Sequence, residues 1–297
     1  MYSMNLHPLL DCFILLVAAR GFLEPDGKLF FAWTLNLLEK ITDPALWLPA
    51  TLRIPGWKRF AALQAAGLLI LMRALAMFAA DLLTNTFAPL PIWVGSCQFQ
   101  LNPLPGHLHL FVFSLVSVVA TGLLIVGLLV FIHYSVSLDY RQTPLGLLLA
   151  ELFPGWNRCH PLLRLAQWLI GYAVFVYILF LLSGAWVTPP GAIPTPLLAL
   201  VKTAVVSLWT LWEFLVFLQW ILWTALFLVV FRIPRNAFFD LIESLAEAIC
   251  SPLRDLDLFW KNVDWTYPIA LITLTFLKTG LRPLLELLAE VAQLPLS

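Results

Sequence analysis

Charge is what this sequence has least of. Only 11% of its 297 residues are Asp, Glu, Lys or Arg, where a water-soluble domain carries about 25%. The two signs also balance to a formal net charge of zero, which removes the electrostatic footprint of a nucleic-acid binder, so no nucleic-acid partner is expected. Cysteine is scarce. Cys12, Cys97, Cys159 and Cys250 form no C-x-x-C pair and no Cys/His spacing of a zinc site, so neither redox nor metal chemistry is indicated. Cys12 reads as a small buried thiol, and Cys97 falls on an outer loop without an obvious partner. There is no G-x-S-x-G, H-E-x-x-H, P-loop or G-x-G-x-x-G, and the expectation is a protein that is not an enzyme and has no cofactor. Glu243 and Glu247 stand four apart, which on a surface helix gives a solvated acidic face. The first apolar segment lacks a basic n-region and a small-residue cleavage motif and contains Asp11 and Arg20. It reads as a retained span rather than a signal peptide.

What the chain has instead is hydrocarbon. It is 61% hydrophobic, with a mean hydropathy of +0.91. A crossing needs about 20 apolar residues, and six stretches are candidates: Leu6–Leu23, Phe60–Leu83, His107–Ile132, Leu162–Val187, Leu197–Phe231 and Val263–Leu285. The first is short and carries two charges. The fifth has no Gly or Pro and is too long for one upright crossing, so a continuous tilted helix reaching beyond the bilayer is predicted. It carries Trp209, Trp212, Trp220 and Trp223, and Lys202 would lie near an interface.

Basic residues fall between spans one and two (Lys28, Lys40, Arg53, Lys58, Arg59), three and four (Arg141, Arg158) and five and six (Arg232, Arg235, Arg254, Lys261). The loops Thr84–Gly106 and Thr188–Pro196 have none. The positive-inside rule places the three basic loops in the cytoplasm and both termini outside, as in a multi-pass protein of the bacterial inner membrane.

Two cytoplasmic stretches match each other. Phe30, Phe31, Leu37, Glu39, Ile41 and Pro44 recur as Phe238, Phe239, Leu245, Glu247, Ile249 and Pro252, all six pairs offset by 208 residues. This internal repeat implies that a membrane hairpin was used at least twice. In both copies the apolar residues have helical spacing, which predicts amphipathic helices in the membrane surface. Phe30, Phe31, Trp33, Phe238 and Phe239 would enter the leaflet, and Arg53, Lys58 and Arg59 would meet anionic headgroups. A weaker third helix is predicted at Thr143–Phe153. Each should end near a proline: Pro44, Pro252 and Pro154. Pro89, Pro91, Pro103 and Pro105 make the outer loop read as irregular, and Pro283–Leu294 reads as a further surface helix. The expected fold class is therefore all-α: a polytopic helical membrane protein with about six transmembrane helices, cytoplasmic-side amphipathic helices and an internal hairpin repeat. Its parts are a first repeat (1–87), an outer Pro-rich loop (88–106), a central hairpin (107–187), a second repeat (197–285) and a C-terminal tail (286–297).

The segment Ile41-Thr42-Asp43-Pro44-Ala45-Leu46-Trp47-Leu48-Pro49, followed by Leu52-Arg53-Ile54-Pro55-Gly56, resembles the YggT family, also called YlmG. The second copy is similar at Ile249-Cys250-Ser251-Pro252-Leu253-Arg254, at Asp264 and Pro268, and upstream at Leu198–Thr203. The chain departs from the family where Gly56–Phe60 replaces its Asp-containing element and where Ser251 stands at its first acidic position. The likeness covers about half of the chain. It implies a membrane protein of the kind linked to cell division, to osmotic or ion homeostasis and, in plastids, to cytochrome-complex assembly.

Asp11, Arg20, Arg73, Asp81, Arg164, Lys202, Glu213 and Lys278 lie in or near the apolar runs. Charge at the bilayer centre costs at least ~3 kcal/mol. Arg20, Lys202 and Lys278 can snorkel. Asp11, Arg73 and Glu213 need partners, and Arg73 is the natural one for Glu213. An interhelical pair that fixes packing is favoured over a proton or cation site, because no Gly- or Pro-broken helix supplies a pathway. His7, His107 and His109 would lie near the outer face, and His133 and His160 near the inner. Facing histidines on two helices would suit a b-type haem, but His107 and His109 are expected on different faces of one helix, so no haem is expected. The leading expectation is a non-catalytic protein that organises or helps assemble membrane complexes, with the lipid bilayer and other membrane proteins as partners. A cation or osmolyte channel or transporter is the alternative. An accessory subunit of a respiratory or photosynthetic complex is a further one.

Overall fold

The computed structural model describes residues 6–20, 40–47, 61–84, 89–95, 97–103, 107–135, 160–182, 187–188, 195–231, 237–254, 259–260 and 263–294. Helices dominate: α1 (Leu6–Arg20), α2 (Ala61–Thr84), α3 (Leu108–Ser135), α4 (Pro161–Leu181), α5 (Pro196–Val230), α6 (Ala237–Arg254) and α7 (Thr266–Val291). Residues 40–47 are also helical. Among the described residues, five helices are long and apolar enough to cross a membrane, namely α2, α3, α4, α5 and α7. The expected first crossing, Leu6–Leu23, is described only as far as Arg20. α1 has 15 residues, about 22 Å at 1.5 Å per residue, against a hydrocarbon core of ~30 Å. Residues 21–23, which would lengthen it, lie outside the described set.

The chain divides into two compact units. The first comprises Met1–Ile125 and Phe175–Ala199. Here α1 lies on α2, and Ile14, Val17, Ala45, Ala65, Ala66 and Val118 form the core. Alanines on α2 allow the close helix approach that membrane packing favours. Gly122 of α3 serves the same end, since a Cβ there would sit 3.1 Å from Leu15 Cδ2.

The Pro-rich loop is not irregular. Strands β1 (Leu90–Val94) and β2 (Cys97–Leu101) form an antiparallel hairpin with Val94 opposite Cys97. Gly95 supplies the positive φ of 59° that a two-residue hairpin turn requires. Ile92, Val94, Cys97, Phe99 and Leu101 are buried, and Trp93 is exposed, so the strands alternate with period two. The prolines do not prevent this because Pro91 sits on the strand without a second neighbour, where no ladder donor is needed. A short β3 (Val187–Thr188) pairs with β2. The predicted span Leu162–Val187 therefore stops at Leu181, and Val187 joins the sheet.

The second unit comprises Val126–Val174 and Leu200–Ser297. Its core gathers Leu218, Ile221, Leu222 and Ala225 of α5 with Ile132, Ala246, Cys250, Tyr267, Ala270 and Leu271. Trp168 stacks on Tyr172 at 5.2 Å, and Tyr172 Oη lies 2.9 Å from Thr210 Oγ1. α5 is the continuous helix that was predicted, 35 residues long. α6 is amphipathic as expected, but much of its apolar face is taken by the protein, with Ala246 and Cys250 buried and Ile242, Leu245, Ile249 and Leu253 packed beside them. The helical stretch 40–47 runs through Pro44 rather than stopping before it, and α6 ends near Pro252 as expected, two residues beyond it at Arg254.

A small hairpin of β4 (Phe259–Trp260) and β5 (Val263–Asp264) precedes α7. Pro283 does not start a separate helix either; it lies inside α7. Instead α7 ends on Gln293 at φ 53°. The Leu294 N–H donates to Ala289 O at 2.9 Å and the Gln293 N–H to Glu290 O at 3.0 Å. This paired closure satisfies the last carbonyls, and the buried Leu294 and Ala289 supply its apolar contact. The third amphipathic helix expected at Thr143–Phe153, with Pro154, lies outside the described residues.

Candidate functional site

A buried charge network lies in the first unit. Asp11 faces out from the middle of α1, and Arg73 comes from the middle of α2. Their side chains are 2% and 3% exposed, and Arg73 Nη1 donates to Asp11 Oδ1. The other carboxylate oxygen accepts from Ser117 Oγ at 2.5 Å and from Thr121 Oγ1 at 3.4 Å. These hydroxyls stand four apart on α3, hence on one helix face. Arg73 Nη2 lies 3.0 Å from His7 Nδ1, one turn before Asp11 on the same face of α1. The guanidinium also sits 5.0 Å from the centroid of Phe113, and His7 meets that ring edge-on at 5.4 Å.

The arrangement answers a physical demand. An isolated charge in hydrocarbon is expensive, so both charges neutralise each other and the remaining lone pairs take hydroxyl donors. Each Asp11 oxygen has at least one donor, Arg73 on Oδ1 and the two hydroxyls on Oδ2. Three helices are tied at one point.

The expected pairing of Arg73 with Glu213 is thus overturned: Arg73 bonds to Asp11. The sequence placed Asp11 and Arg73 deep in their spans but did not couple them, and it missed His7, Phe113, Ser117 and Thr121. The i, i+4 hydroxyls of α3 were the available signal. Glu213 is half-buried on α5. On the neighbouring antiparallel α7, Trp212 Nε1 donates to Lys278 O at 3.1 Å, so Glu213 lies about one turn from the level of the exposed Arg282 and Glu286, which bond at 2.7 Å. Lys202, expected to snorkel, is instead fully buried, because that part of α5 is covered by protein.

His107 and His109 do not point apart. His107 precedes α3 at φ 60°, and this left-handed residue turns its ring to within 6.1 Å of the His109 ring, stacked. His109 is 1% exposed, and its two ring nitrogens have no hydrogen-bond partner among the described residues. No group of three or more His, Cys, Asp or Glu among the described residues is placed to hold a metal ion. His160 Nδ1 accepts from Leu162 N–H at 3.3 Å.

Of the other expected residues, Phe30, Phe31, Trp33, Arg53, Lys58 and Arg59 lie outside the described set. Phe238 and Phe239 open α6, where Phe239 is half-buried. Asp43 accepts from Arg20 Nη1 at 2.6 Å, an ion pair that ties the end of α1 to the stretch 40–47. Thr42 shares that donor at 2.9 Å. Pro44 is exposed. Pro252 and Arg254 lie in the last turns of α6 and Asp264 in β5. Pro268 is half-buried in the first turn of α7.

These features define a helical, multi-pass membrane protein with a buried charge network among α1, α2 and α3. Comparison with protein-family models, with curated proteins and with solved structures gives no match to this chain.

Proposed function

We propose that this chain is a non-catalytic membrane protein, similar to the YggT family, that organises or helps assemble other membrane complexes. The observation that carries the reading is a contrast. The charge network of Asp11 is spent inside the protein, whereas large side chains on α5 and α7 remain outward, with Trp220 67% and Phe276 76% exposed. A carboxylate held by an arginine and two hydroxyls from neighbouring helices acts as a brace, and the outward side chains of α5 and α7 are the surface that a neighbour would cover. The family reading rests on the residues around Asp43, Pro44, Pro252, Arg254, Asp264 and Pro268 alone.

The proposed setting is the bacterial inner membrane. α1 would extend through residues 21–23 into a sixth crossing and put both termini outside, which makes every basic loop cytoplasmic. α6 would lie at the cytoplasmic surface with Phe238 and Phe239 in the leaflet. Crosslinking in native membranes, read by mass spectrometry, tests the function: recurrent crosslinks from α5 and α7 to one set of membrane proteins are expected. Absence of such neighbours, with an ion flux in liposomes that Glu213→Gln abolishes, would replace this reading with transport.

A further inference from the structure

α1 holds a second partner for Asp11, one that proton uptake would create. His7 is the second residue of α1. It stands four residues before Asp11 and hence on the same helix face. It is half-buried, whereas Asp11 and Arg73 are buried. Arg73 Nη2 lies 3.0 Å from His7 Nδ1. A guanidinium carries donors only. Nδ1 must therefore accept this bond, and the ring must be neutral with its one proton on Nε2. An imidazolium has donors on both nitrogens, so the contact with Arg73 exists only for uncharged His7.

The surroundings set two repulsions and one attraction on a protonated ring. Arg73 of α2 would oppose it charge to charge. The first turn of α1 would oppose it through the free N–H groups and dipole of a helix N-terminus. α3 gives no relief: it presents the uncharged Phe113, which the Arg73 guanidinium already covers at 5.0 Å from the centroid, with His109 one turn earlier on that helix. The charged groups acting on His7 are Arg73 and Asp11, and Asp11 alone attracts. At present its carboxylate is taken by Arg73, Ser117 and Thr121.

We propose that His7 is a proton-operated release for α1: once protonated it leaves Arg73 and takes Asp11 as its partner, exchanging the ion pair that ties α1 to α2 for one within α1. The step takes one proton from water onto Nδ1 and makes or breaks no other covalent bond. Arg73, whose side chain is 3% exposed, is left without its carboxylate, a costly state for a buried charge. What then holds α1 to α2 is the packing of Ile14 and Val17 with Ala65 and Ala66. The release goes beyond the assembly reading and does not depend on it.

The test is reversible unfolding of the full chain in bicelles at pH 8 and pH 5. The folded network takes the neutral ring, and the unfolded chain titrates near 6.5. The unfolded state therefore holds more protons below that value, and stability that is full above about pH 7.5 is lost as pH falls. The unfolding constant should rise roughly five- to thirty-fold over the interval, the upper figure being the protonated-to-neutral ratio of such an imidazole at pH 5. His7→Asn keeps an acceptor oxygen without titrating and should remove the rise. Unchanged stability in the unaltered chain overturns the proposal. So does an equal rise in His7→Asn, which would put the proton on another group such as His109. The exchange of partners has its own readout, a double-mutant cycle with Asp11→Asn and Arg73→Gln. Coupling present at pH 8 should shrink at pH 5 in the parent and persist in the His7→Asn background; coupling that persists at pH 5 in the parent refutes the exchange. Nitrogen NMR of the unaltered chain at pH 8 needs no variant: the Nε2–H tautomer of His7 is expected, and the Nδ1–H tautomer overturns the proposal.

Discussion

Removing Asp11 alone should be far worse than removing Asp11 and Arg73 together. Asp11→Ala deletes a carboxylate that is 2% exposed and leaves a guanidinium that is 3% exposed without its counter-charge. Breaking a buried pair this way costs about 3–5 kcal/mol. The hydroxyls add little to that. Ser117 and Thr121 lose an acceptor, but a helical hydroxyl can turn back to the carbonyl four residues earlier, as Ser114 does on the same helix at 3.0 Å. The unfolded chain in a membrane also finds partners for its polar groups, so the lower end of the range is expected, about 3 kcal/mol. At 1.4 kcal/mol per decade this is a factor of roughly a hundred in the folding equilibrium. Asp11→Leu with Arg73→Met removes both charges at similar volume and should recover all but about 1 kcal/mol. Reversible unfolding in bicelles measures all three proteins. Two results would refute the brace: Asp11→Ala within about 0.5 kcal/mol of the parent, the level of a neutral surface change, or a double variant no better than the single one.

Three further outcomes are expected. Gly127→Ala drives a Cβ into the Trp168 indole, so it should destabilise by about 1–3 kcal/mol and shift the Trp emission; an unperturbed spectrum and midpoint would show that the two helices are not in contact. Phe238→Asp with Phe239→Asp should expose α6 to added protease, and unchanged protection would refute its seating in the leaflet. Single cysteines placed before α1 and after α7 should both react with an impermeant reagent from outside; labelling of only one end would establish five crossings instead of six.

How much was legible depended on whether a feature is set by neighbours in the chain or by neighbours in space. The predicted Leu197–Phe231 and the observed Pro196–Val230 differ by one residue at each end, because an apolar run must close its backbone hydrogen bonds internally in lipid and has no choice but a helix. The expected first span, Leu6–Leu23, is described as helix from Leu6 to Arg20, with its last three residues outside the described set. The hairpin of β1 and β2 was hidden by its prolines, although Ile92, Val94, Phe99 and Leu101 alternate with polar or exposed neighbours. The α7 terminus was misjudged for a related reason: Pro283 outweighed the closing turn at Gln293, whose left-handed backbone has no sequence marker as plain as glycine.

From the sequence alone came the solvent. Eleven per cent charge and recurrent apolar runs place this chain in hydrocarbon whatever its contacts, since transfer free energy depends on composition and length. The choice of partner belonged to tertiary structure. Arg73 is 62 residues from Asp11 and could have paired with any intramembrane carboxylate; only the packing of α1 on α2, with the hydroxyl face of α3 beside them, selects Asp11, because in a low-dielectric interior a charge pair is favoured where hydrogen bonds from neighbouring groups support it.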